Sequence, residues 1–212
     1  MKKKILLLML ILVPSLTMLS QIRDYSESSP WFVTISAGIN LFDGDISKTT
    51  TSLLPEATPS KMFGAGVGYV MSPIYSISLD YSYFLAIAKT KNWDIKTKVN
   101  TGVLNFSVNL LNLIFPDRDE DSKFETYASL GFGFTYYSYN EGYNVGNSYG
   151  VACLAPISVS EIYNISERLG VGLKVSFLSF SADNLEGIEH LNYKGVSNDR
   201  AEIVSLLAKI HL

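Results

Sequence analysis

The chain has 212 residues, of which 47% are hydrophobic, 12% aromatic and 17% charged, and its formal net charge is −3. That composition excludes a disordered chain, and the charge content falls well below the roughly 25% usual in soluble domains. The acidic balance argues against nucleic acid as a partner, and the length suits one β-barrel or one to two ordinary domains.

Residues 1–20, MKKKILLLMLILVPSLTMLS, start with Lys2, Lys3 and Lys4, run through apolar Ile5 to Val13, and continue with Pro14 and smaller polar residues. This is the pattern of a secretory signal peptide. Cleavage after Ser20 leaves 14 basic against 20 acidic side chains, a net charge near −6. A short lead, residues 21–30, precedes residues 31–212, which read as one barrel domain. Beyond the leader no apolar run approaches the roughly 18–20 residues of a membrane-spanning helix, so any membrane embedding must use strands.

Eight segments then carry a period of two, the signature of a strand with two different faces. Their apolar parity runs Val33–Leu41, Phe63–Met71, Tyr75–Leu85, Leu104–Leu110, Phe124–Tyr136, Val151–Val159, Leu169–Phe177 and Val204–Leu212. None of the 42 residues on that parity is charged. The opposite parity is small and polar: Thr34, Ser36, Gly38 and Asn40 in the first segment, Gly64, Gly66 and Gly68 in the second, Gly131 and Gly133 in the fifth. A soluble lipocalin-like barrel would turn Lys, Glu and Arg outward. A small membrane barrel does the reverse, with apolar residues outside and small polar groups in a narrow lumen. The expected fold is therefore all-β, an eight-stranded antiparallel transmembrane β-barrel with long outer loops and short periplasmic turns.

The connections follow the same plan. Long stretches at Phe42–Lys61, Ala86–Asn100, Asn140–Ser148 and Ser181–Arg200 alternate with shorter ones at Ser72–Pro73, Pro116–Lys123 and Asn164–Arg168. Both chain ends then lie on the periplasmic side. Pro156 interrupts the sixth segment, where a bulge is expected. The outer third of the fourth segment, from Lys96, loses its clean parity and is expected to rise above the membrane.

Aromatic residues gather at segment ends, as in the girdles of membrane barrels. Tyr69, Tyr75, Phe115, Phe124 and Tyr163 fall at the inner ends, and Tyr81, Tyr83, Tyr136 and Tyr137 at the outer ends. On the inward parity Asp80 and Lys174 lie at similar depth, while Glu125 falls near the inner rim with Lys209 and His211. Buried charges persist when paired, so Asp80 with Lys174 and Glu125 with Lys209 are expected as ion pairs that plug the lumen.

Signals for chemistry are sparse. The chain has two histidines, His190 and His211, and one cysteine, Cys153, which reads as a small apolar surface residue. His190 with Ser197 and Asp199 would supply the residue types of a hydrolytic triad, but nothing in their spacing supports it. "DGDIS", Asp43–Ser47, resembles the start of a calcium loop, yet its twelfth position is Leu54, so it is not an EF-hand. "DRDED", Asp117–Asp121, reads as a solvated turn. "GFGF" lacks the lysine, serine and helix of a phosphate loop. No enzyme activity, cofactor or metal is expected.

Four stretches, "WFVTISAGINLFDGDI", "NFSVNLLNLIF", "KFETYASLGFGFTYY" and "YNISERLGVGLKVSF", together make residues 28–212 resemble the small outer-membrane β-barrels of the OmpA transmembrane-domain type from Gram-negative bacteria. The resemblance implies a porin-like fold in the outer membrane after export, insertion by the barrel-assembly machinery, and contact with outer-membrane lipid. It further implies a monomer with a structural or envelope-integrity role, or adhesion through outer loops that bind an extracellular ligand. Two departures stand out: the last residue is Leu212 rather than an aromatic, and no peptidoglycan-binding domain follows the barrel. The alternatives are a secreted lipocalin-like barrel that binds a small ligand, and an outer-membrane lipid-modifying barrel enzyme.

Overall fold

In the computed structural model the described residues are 29–43, 59–89, 94–116, 123–140, 148–181 and 199–212. The expected signal peptide, most of the expected lead, the greater part of "DGDIS" and all of "DRDED" lie outside them. Eight strands form a closed antiparallel barrel: β1 (Trp31–Asp43), β2 (Ser60–Val70), β3 (Tyr75–Lys89), β4 (Asp94–Asn109), β5 (Phe124–Asn140), β6 (Ser148–Asn164), β7 (Leu169–Phe180) and β8 (Arg200–His211). Every strand pairs with its sequence neighbours, and β1 closes on β8 from Phe32↔His211 to Asp43↔Arg200. Closure satisfies the backbone without a free edge, the condition for sheet in a bilayer.

The register determines the shape. From Trp31 the paired residues run through Tyr69, Ile77, Phe106, Leu130, Ile157, Phe177 and Glu202 and return to β1 at Leu41, ten residues further along. With strands ~4.8 Å apart and a rise of ~3.3 Å per residue, that shear tilts the strands by about 40° and sets a radius of about 8 Å. Side chains fill an interior of that width. We call the end that holds Trp31 and Leu212 the turn end, and the opposite one the loop end.

Two local features depart from the sequence pattern. The apolar alternation of β4 carries on to Leu110, but the strand stops at Asn109, and Leu110–Ile114 forms a short helix, α1. Asn109 terminates the strand because its side chain accepts hydrogen bonds from the backbone N–H groups of Leu111 and Asn112, which caps the helix. The expected long connection at Ala86–Asn100 is mostly strand, with β3 and β4 paired as far as Lys89↔Asp94. The outer third of β4 stays in the sheet, paired with β5 up to Lys96↔Asn140.

Pro156 does not produce the expected bulge. The β5–β6 ladder runs from Phe124↔Tyr163 to Leu130↔Ile157, omits two pairs, and resumes at Gly133↔Leu154 in the same register. No residue is inserted; the ring removes a donor and the ladder opens locally. Gly131 faces this gap, and a Cβ there would stand 2.9 Å from Pro156 Cγ and 2.3 Å from Asn105 Oδ1. The absent side chain makes room for the proline ring inside the wall.

Candidate functional site: the lumen and the outer wall

The two faces of the wall exchange polarity along the barrel axis. Over most of its height the exterior is apolar: Leu130 is 62% exposed, Phe132 57% and Leu206 68%. On β1 this outward row runs from Trp31 to Leu41, about 25 Å along the tilted axis, the height of the apolar band in membrane barrels. Toward the loop end the outward row becomes polar. On β4 alone, exposed Phe106 and Leu104 give way to Asn100, Lys98 and Lys96, while the inward Asn105 gives way to Val103 and Val99. Lys61 and Arg200 are exposed on other strands near the same level. The outer third of β4 thus stands above the apolar band as part of a wall that is polar outside and apolar inside.

That inversion seals the loop end. Phe42, Met62, Phe84, Val99, Tyr137, Leu154, Phe180 and Ile203 belong to one buried cluster inside the barrel. Phe84 is 0% and Phe180 1% exposed. Tyr137 is therefore an inward core residue and not a girdle residue, because it sits one step off the parity of Tyr136. Where the β2–β3 ladder ends at Met62↔Phe84, Ser60 Oγ donates to the next free carbonyl, Leu85 O, and Asn40 Nδ2 donates to the same oxygen at 3.2 Å. The rim is closed by these buried side-chain hydrogen bonds as well as by packing.

Below the seal lies a chamber of about 110 Å³, with ten serines as well as apolar side chains in its wall. The volume admits a small cluster of waters, and hydroxyl walls suit water better than an apolar ligand. The structure brings Asp80 and Lys174 together here: Lys174 Nζ lies 3.2 Å from Asp80 Oδ2 across the lumen. Asn105 Nδ2 donates to the same oxygen at 2.9 Å. Both charged side chains keep about a quarter of their surface, 26% for Lys174 and 22% for Asp80, because the chamber is roomy.

The turn end is closed by a tighter cluster. Lys209 Nζ donates to Glu125 Oε2 and to Tyr127 Oη, both at 3.0 Å, and Tyr127 Oη donates in turn to Glu125 Oε2 at 3.0 Å. The ammonium also sits 5.0 Å from the Phe32 ring centre and 4.8 Å from that of Tyr127, in cation–π range. Lys209 is 3% and Glu125 5% exposed. Phe32 reaches this position because β2 carries Gly68 opposite it; a Cβ on Gly68 would lie 2.1 Å from Phe32 Cζ. His211, 2% exposed, packs against Phe32 with ring centres 6.0 Å apart. Sequence reasoning about charge found Glu125 and Lys209 but missed Phe32 and Tyr127, whose signal is an aromatic on an otherwise small, polar parity.

On the exterior the aromatics of the turn end meet in pairs: Trp31 with Tyr69, Tyr75 with Phe106, and Phe124 with Tyr163, with centroids 5.1, 5.6 and 5.1 Å apart. Phe115 follows α1 and is exposed at the same end. Higher up, Tyr81 Oη donates to Asn100 Oδ1 at 2.6 Å, Tyr83 is half-buried on the same face, and Tyr136 packs against Tyr149. Toward the turn end one outward strand residue among those described breaks the apolar rule. The lipid-facing parity of β6 continues past Val159 to Glu161 and then to exposed Tyr163.

Of the residues that a triad would need, His190 and Ser197 lie outside the described residues, and Asp199 is buried beside the loop-end core. Cys153 is exposed on the outer wall, where its backbone N–H donates to Ser181 Oγ at 2.9 Å. Among the described residues no group of His, Cys, Asp and Glu side chains is arranged to hold a metal ion.

No family model matches the sequence, and no curated protein sequence matches it. Solved structures do. Neisserial surface protein A aligns with 88% of this chain and 100% of its own at a TM-score of 0.62 and 10% identity. Ail, the attachment invasion locus protein of Yersinia pestis, aligns with 87% of this chain and 99% of its own at a TM-score of 0.51 and 8% identity. At such identities the likeness is one of fold. The chain is an eight-stranded transmembrane β-barrel of the kind found in bacterial outer membranes.

Proposed function

We propose that this protein is a non-enzymatic, monomeric barrel of the bacterial outer membrane, exported by its signal peptide and inserted by the barrel-assembly machinery. It maintains envelope integrity or binds an extracellular ligand through the segments that join β1–β2, β3–β4, β5–β6 and β7–β8. The observation that carries this reading is closure of the lumen at both ends, by the apolar core at the loop end and the Lys209–Glu125–Tyr127 cluster at the turn end. A closed lumen passes no solute, which leaves the loop-end connections as the segments available for recognition. The exposed Leu and Phe rows disfavour a secreted lipocalin-like barrel, since water-soluble proteins rarely expose contiguous apolar patches of this extent. The OmpA-type membership remains a resemblance carried by the four quoted stretches.

The test combines planar-bilayer recording of the purified protein with protease treatment of intact cells. The proposal expects no steady conductance and cleavage confined to the loop-end connections. A stable open channel would overturn the closed lumen, and cleavage at the turn end on intact cells would invert the orientation.

A further inference from the structure

Glu161 lies on the outward face, one alternation from the Tyr163 ring that marks the turn-end boundary. Among the described strand residues it is the outward-facing charged side chain nearest the turn end; Lys61 and Glu202 face outward toward the loop end, paired with Ile39 and Leu41. Its paired line round the wall is Ala37, Leu206, Leu173, Glu161 and Thr126. Glu161 makes no ion pair with any described residue. Thr126, opposite it on β5, is 4% exposed, and its Oγ1 has no hydrogen-bond partner among the described residues. The carboxylate on the outer face has no cationic partner among the described residues.

Beside it runs a shallow groove of about 550 Å³. Leu173 and Leu206, paired across β7 and β8, line it together with Ala208, and Tyr163 and Phe124, paired with each other, line it on the turn-end side of Glu161. Apolar length followed by a carboxylate at the membrane boundary matches the layout of a phospholipid, an acyl chain ending in a polar head. The carboxylate determines the class of head: it repels anionic headgroups and pairs with a cation, and a primary ammonium supplies three N–H donors where a quaternary ammonium supplies none.

We propose that this groove binds a phospholipid of the periplasmic leaflet bearing a primary-ammonium headgroup, with the ammonium held by Glu161 and the acyl chain along Leu173 and Leu206. The contact would anchor the barrel at a defined depth and rotation in that leaflet. The experiment is native mass spectrometry of the folded full chain with equimolar phosphatidylethanolamine, phosphatidylcholine and phosphatidylglycerol of identical acyl chains. The expected result is retention of phosphatidylethanolamine over the other two by roughly fivefold, the preference that an interfacial ion pair supports. Glu161→Gln, nearly isosteric, should reduce that preference to parity while the barrel still shows heat-modifiable gel migration. Equal retention of the three lipids by the unaltered protein, or an unchanged preference in Glu161→Gln, would overturn the proposal. A dimer lost on Glu161→Gln would assign the groove to a second copy and overturn it equally.

Discussion

Replacement of Lys209 by Met tests whether the turn-end cluster is a structural plug. Lys209 is 3% exposed and makes two hydrogen bonds of 3.0 Å, to Glu125 and Tyr127, besides its two ring contacts. Met retains the length and the contact with Phe32 but takes the ammonium away from the buried Glu125 carboxylate, to which Tyr127 Oη still donates. Breaking a buried pair by removal of one partner costs about 3–5 kcal/mol, a large share of the roughly 5–15 kcal/mol by which a domain is stable. The double variant Glu125→Gln/Lys209→Met removes both charges, and its loss should be no more than ~1 kcal/mol, since replacement of both partners is often neutral. Urea unfolding in lipid vesicles, followed by tryptophan fluorescence and extrapolated linearly, measures both losses. A single-variant loss under about 1 kcal/mol, or a double-variant loss equal to the sum of the two singles, would refute the plug, because paired charges must couple in a double-mutant cycle. Bilayer conductance should stay absent in every variant, since the apolar core still closes the loop end.

Lys174→Met should cost less, about 1–2 kcal/mol in the same unfolding assay, because Asp80 keeps its hydrogen bond from Asn105 and chamber water can screen it; it should open no conductance. Gly68→Ala would drive a Cβ into the Phe32 ring and displace it from Lys209, a loss of about 1–3 kcal/mol, which Phe32→Ala introduced beside it should partly restore. Phe84→Ala, at the fully buried centre of the loop-end seal, should cost about 3–5 kcal/mol. Leu130→Arg, midway up the apolar exterior, should cost about 2–4 kcal/mol for insertion, whereas Val151→Arg, beyond the polarity change, should cost ~0–1 kcal/mol.

The alternation of single residues was enough to place eight strands and their two faces, because the side-chain period of a strand is local and a buried or lipid-exposed face cannot tolerate the wrong parity. The lumen pairs were legible for a related reason. A charge on a small, polar parity at a given depth needs an opposite charge at the same depth, and Asp80, Lys174, Glu125 and Lys209 had few choices. The same local reading misplaced Tyr137, whose neighbour Tyr136 points the other way, and it missed Glu161 because the apolar run was followed only to Val159. It also missed the loop-end core: Phe84, Val99, Leu154 and Phe180 sit on the parity that is polar lower down, and nothing in one strand says where the solvent outside changes from lipid to water.

What the sequence determined by itself is thus the strand count, the facing of most residues and the reason for a membrane, all properties with a range of two residues. Closure, the shear of ten, the joint apolar seal contributed by strands far apart in the chain, and the meeting of Lys209 with Glu125, Tyr127 and Phe32 were decided by tertiary structure. Those features depend on which residues share a level, and a level is defined only once the tilted sheet has closed on itself.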